Sequence, residues 1–183
     1  MRLVGGFTMK WLAPLLAVAL FVIVEREAAA DGWWQPAQPN TTLCTTTRED
    51  VISLIGYFND DVYGRDADPV YRAYVKQSIY YTVQRESGTN QCRPDGSYVL
   101  GDRYLNGRGY HSVGFAQLHD GYDDSGRYIG SAWHNARNPY RHLGLAGRYD
   151  AEVQAAFITW YAWTFKNLGP WCTPHVESWM CGP

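Results

Sequence analysis

The chain has 183 residues, with 16 basic and 18 acidic side chains and 46% hydrophobic residues. That is enough apolar material for one folded domain with a true core. It lacks the basic excess of a nucleic-acid binder, so no nucleic acid is expected as a partner.

Residues 1–30 read as a secretory signal peptide. Arg2 and Lys10 give a positive start, 11–24 is almost wholly apolar, and Ala28-Ala29-Ala30 offers a cleavage site. The apolar stretch falls short of the roughly 20 residues of a membrane span, so no stable span is expected after cleavage. The charged run Glu25-Arg26-Glu27 leaves an uncleaved anchor as the alternative, and Met9 is an alternative start. Removal of 1–30 leaves 13 basic and 16 acidic residues, a weakly acidic, monomeric, exported domain in expectation. All four cysteines (Cys44, Cys92, Cys172, Cys181) lie in that part, and an even count in an exported chain implies two disulfides. Three connectivities exist; the expected one is Cys44–Cys92 with Cys172–Cys181.

Residues 31–43 are polar, carry Pro36 and Pro39, and read as an extended arm pinned by Trp33 and Trp34, with the sequon Asn40-Thr41-Thr42 near its end. Residues 44–183 form the expected domain. A first helix should open at Thr46 or Thr47, where Thr46-x-x-Glu49 makes a capping box, and show an apolar face of Val51, Ile52, Leu54, Ile55 and Phe58. A second is capped by Asp68, has Pro69 in its first turn, and runs to Glu86, with Gly88 as its stop. Val70, Tyr74, Val75, Ile79, Tyr80 and Val83 supply its helical period. Residues 89–111 are rich in glycine and read as loop with a short hairpin around 98–105. Residues 114–119 suggest a short helix, 120–136 irregular chain and 139–146 another helix. The last helix opens at Asp150 and runs to Leu168, stopped by Gly169-Pro170, with Val153, Ala156, Phe157, Trp160, Tyr161 and Thr164 on its core face.

Glu86 is the residue with the most chemistry in it. A carboxylic acid in the last turn of a helix meets the negative end of the dipole, which favours its protonated form. Such an acid, walled by apolar and aromatic groups, suits general acid catalysis at a glycosidic bond. Eight Trp and fourteen Tyr provide faces on which sugar rings stack. Tyr110 and Trp171 stand in loop contexts that suit this, whereas Phe157 and Trp160 suit the core. Asp102, followed by Asp95 and Asp120, is the candidate second carboxylate that an inverting hydrolase needs. No metal or cofactor is expected. His111, His119 and Asp120 lack a ligand spacing such as His-Glu-x-x-His, and the 120–125 segment departs from a calcium loop. There is no Gly-x-Ser-x-Gly elbow and no phosphate loop.

Glu86-Ser87-Gly88, then Ser112-Val113-Gly114-Phe115-Ala116-Gln117, then an aromatic helix ending in Gly169-Pro170-Trp171, resemble the lytic transglycosylase and goose-type lysozyme superfamily. The resemblance spans about residues 70–171. It departs in Phe115-Ala116 for the usual Leu-Met, in a longer loop that holds Cys92, and in Thr159-Trp160-Tyr161-Ala162 where an Ala-Tyr-Asn triplet is familiar. It implies a mainly α, lysozyme-like domain with a loop-rich or small β-hairpin insertion between the Glu86 helix and a Gly-x-x-Gln helix. It also implies cleavage of the β-1,4 MurNAc-GlcNAc backbone of peptidoglycan, with Glu86 as acid. Ser87, Tyr110, Ser112, Gly114, Gln117 and Tyr161 would contact the glycan. Without a working second carboxylate, the same resemblance implies a transglycosylase that forms a 1,6-anhydro product. The alternative is a non-catalytic glycan-binding or interaction protein on that scaffold.

Overall fold

The structure, a computed structural model, describes residues 43–103, 105 and 110–172; the signal segment, nearly all of the arm and Cys181 lie outside them. The chain divides into Met1–Gln35 and Pro36–Pro183, and every described residue belongs to the second unit. Helix α1 (Arg48–Tyr57) opens one residue later than its sequence box suggests: Thr47 is the cap and Asp50 its reciprocal partner, in place of Thr46 and Glu49. The shorter aspartate reaches back within one turn, its carboxylate accepting from the Thr47 N–H at 2.9 Å. The helix then loosens into a π-helical turn, Phe58–Tyr63. Inside that turn Asn59, fully buried, donates to the Arg72 carbonyl and accepts from Trp163 Nε1, joining three elements.

Helix α2 (Pro69–Ser87) follows the sequence signals closely. Asp68 accepts from the Val70 and Tyr71 N–H groups, and Gly88 ends the helix in the left-handed conformation that a side chain would strain. Val75, Ile79 and Val83 are buried as their spacing requires, but Val70, on the first turn, is 78% exposed. Helix α3 (Ala151–Phe165), capped by Asp150, is apolar on nearly all faces and forms the middle of the core. It stops three residues short of Leu168, because Lys166 turns left-handed at φ 56°. The expected helix at 139–146 is instead two 3-10 turns, Arg141–Leu143 and Leu145–Tyr149, separated by Gly144.

Between α2 and α3 lies a small antiparallel sheet of β1 (Leu100–Arg103), β2 (Tyr110–Val113) and β3 (Leu118–His119), in sequence order. The described fold is therefore helix-rich with a β insertion. The expected helix at residues 114–119 is absent: 114–117 is a turn that leads into β3. Its ends are both left-handed (Gly114 φ 75°, Gln117 φ 46°), which no α-helix tolerates. Side chains take up the N–H groups between them: Phe115 donates to Gln91 Oε1 and Ala116 to Gln154 Oε1.

Cys44 and Cys92 form the expected disulfide, and Cys172 is disulfide-bonded too. Among the described residues no helix is long and apolar enough to cross a membrane.

Candidate functional site

The last turn of α2, the sheet, the 129–133 segment and the 3-10 turn Gly169–Trp171 line a cleft of about 630 Å³. Glu86, Asp102, Ser112 and Gln117 line it, together with His119 and Trp171. Glu86, Asp102, Ser112, Gln117 and Trp171, all singled out from sequence, thus share one cavity, drawn from α2, β1, β2, the turn and the 3-10 turn.

Each is held by local chemistry. Ser87 Oγ donates to the Phe115 carbonyl at 2.9 Å and so ties the end of α2 to the turn. Glu86, half-buried beside it, points into the cleft lining, and among the described residues no cation pairs with it. Burial, and then the charge of Asp102, raises its carboxyl above the ordinary value of 4.5. Asp102 is exposed at the cleft mouth and receives a hydrogen bond from Ser112 Oγ at 3.0 Å. Gln117 lies against Gly101 and donates to the Gly114 carbonyl at 2.7 Å. Asp102 and Gln117 are both non-glycine residues in the left-handed region, a strain that functional sites often retain.

Gly114 must be glycine. A Cβ there would lie 1.9 Å from Gln154 Nε2, and its φ is 75°. Its part is structural, since the Gln154 amide that it admits holds Ala116 and the Arg148 carbonyl. Trp171 is buried in the cleft wall, with Nε1 donating to the Ala116 carbonyl at 2.7 Å.

The remaining expected contacts are placed elsewhere. Tyr161 is not in the cleft lining but packs among Phe157, Phe165 and Trp171, with ring centroids 4.5 Å from Phe165. Tyr110 begins β2 opposite Arg103, also outside the lining. Phe157 and Trp160 are core residues, as their spacing suggests.

Sequence reading missed His119, Ile129, Ser131 and Trp133, which complete the walls. Nothing in an irregular segment marks them, although Trp133, fully buried on Phe157, shows in retrospect why the segment is ordered. Beside the cleft, His111, His119 and Asp120 converge despite their unpromising spacing. Strand pairing does this, since β2 and β3 run antiparallel with Ser112 opposite His119. Burial lowers the proton affinity of His119, partly offset by Asp120. Comparisons of the chain with protein-family models, with curated proteins and with solved structures found no match.

Proposed function

We propose that this is an exported enzyme that cleaves the β-1,4 glycan backbone of peptidoglycan, with Glu86 as general acid. One observation carries the reading: a half-buried Glu86, its carboxyl raised by burial, shares a cleft with Asp102, a carboxyl group in a more open setting. Two carboxyl groups whose surroundings differ in this way divide into an acid and a base. Glu86 donates its proton to the glycosidic oxygen as the C1–O bond breaks. Asp102, oriented by Ser112, takes a proton from the water that attacks C1. Gln117 and the Trp171 wall supply a hydrogen-bonding group and an apolar surface to the sugar. Asp102 supports hydrolysis over the single-acid route to a 1,6-anhydro end. The lysozyme-like likeness of the motifs supports the same substrate, as does the disulfide for an exported chain.

The test is digestion of purified peptidoglycan, with released fragments weighed by mass spectrometry. Glu86→Gln should lower turnover by roughly 10²–10⁴-fold, the usual worth of a positioned acid. Asp102→Asn should also lower it, and wild-type products should carry one water per bond cut. Activity should decline as pH climbs through the raised Glu86 pKa, because the acid must hold its proton. Products lighter by one water, with Asp102→Asn fully active, would replace hydrolysis by the transglycosylase route. Wild type that binds glycan without cutting it would leave only a binding protein.

A further inference from the structure

We propose that His111, His119 and Asp120 form a binding site for a zinc-class divalent ion at the edge of the cleft. One donor atom from each lies within 4.8 Å of the others. His111 Nδ1 is 3.1 Å and His119 Nδ1 is 3.5 Å from the same Asp120 Oδ1. The edge of a tetrahedron with zinc–ligand bonds of 2.0–2.1 Å is about 3.3 Å, so two of the three edges already have the required length. Two imidazole nitrogens and one carboxylate oxygen match zinc better than calcium or magnesium, which favour all-oxygen sites.

The surroundings are those of a built site. Asp120 is fully buried and His111 nearly so, and the two imidazole rings lie parallel with centroids 5.0 Å apart. Asp124 Oδ1, which accepts from the Leu105 N–H at 2.6 Å, lies 3.7 Å from His111 Nε2, too far for a hydrogen bond but close enough to add negative charge beside the ring. His134 Nε2 meets the Asp120 carbonyl at 2.8 Å and fixes that backbone. The site has a cost: Gly121 N–H now donates to His119 Nδ1 at 2.9 Å and must turn away when the ion binds. Three protein ligands leave a coordination position for water. Because His119 also lines the cleft, the ion places positive charge at its rim.

The experiment needs no glycan, so it stands or falls apart from the enzyme reading. The exported chain, untagged and with disulfides intact, is stripped with chelator and titrated with Zn²⁺ by calorimetry and with Co²⁺ by visible absorption. One ion per chain is expected, with cobalt bands of low-coordinate geometry. His119→Gln, at a half-exposed position that should not disturb folding, is expected to weaken binding by more than the roughly 10–100-fold lost with an outer partner. His111→Gln should do the same while its far-UV circular dichroism matches wild type. His142→Gln, at an exposed position, should bind like wild type. Absence of heat and of cobalt bands would overturn the site, as would binding that survives His119→Gln unchanged.

Discussion

Glu86 holds its proton to a higher pH than a free carboxyl does, for reasons that act on the fold as well as on chemistry. Burial is the larger cause, and Asp102 adds like-charge repulsion. Its folded pKa therefore lies above the unfolded value near 4.5. Below that value both states are protonated and the group's contribution to stability is fully present. As pH rises through the folded pKa the contribution is lost, since the native state then has to ionise a half-buried acid. Glu86→Gln should accordingly melt at a higher temperature than wild type at pH 7, with the gap closing by pH 4. Paired thermal scans at the two values check this. A gap that widened toward acid would mean that a cation holds the carboxylate in the native state.

At the level of elements, the end of α2 depends on its beginning. Asp68 satisfies two N–H groups at the start of the nineteen-residue helix that delivers Glu86 to the cleft. Asp68→Ala should destabilise the protein by about 0.5–2 kcal/mol, read as a lower urea midpoint with an unchanged slope. Asp68→Asn should restore most of the loss. Such helices were legible because caps, Pro69, Gly88 and apolar spacing are local signals. The insertion was legible only in outline. The 114–117 segment has helix-compatible residues, but its geometry is dictated by Gln91 and Gln154, 24 and 38 residues distant from the amides they accept. The histidine cluster was hidden for the same reason, because pairing of β2 with β3 makes neighbours that no spacing rule shows. In the cleft, Glu86, Ser112 and Gln117 belong to the motifs noted in the sequence, whereas Asp102 was singled out only as a loop candidate for a second carboxylate. Tyr161 was misplaced because a tyrosine at helical spacing looks alike whether it faces the core or the cleft.

At the scale of the described domain, a disulfide fastens the start of the helical layer. Cys44, ahead of α1, is joined to Cys92, beyond α2, across 48 residues, and its N–H also donates to the Gly96 carbonyl. That link closes α1, the π-helical turn and α2 into one loop. Replacing both cysteines by serine should cost about 2–4 kcal/mol in denaturant titrations under non-reducing conditions. The bonded Cys172 is left untouched in that variant. A change under a few tenths of a kcal/mol would mean that the α1–α2 packing alone fixes the loop.

Gln91 and Gln154, both buried, each accept one N–H from the turn and each donate to a carbonyl of the 148–149 segment. Two side-chain amides thus stand in for the ladder that the turn lacks. The backbone that carries Gln117 into the cleft is thus organised during folding, and under the proposed function glycan binding need not supply its ordering free energy. Side chains at the cleft rim can then change without loosening the backbone beneath Gln117.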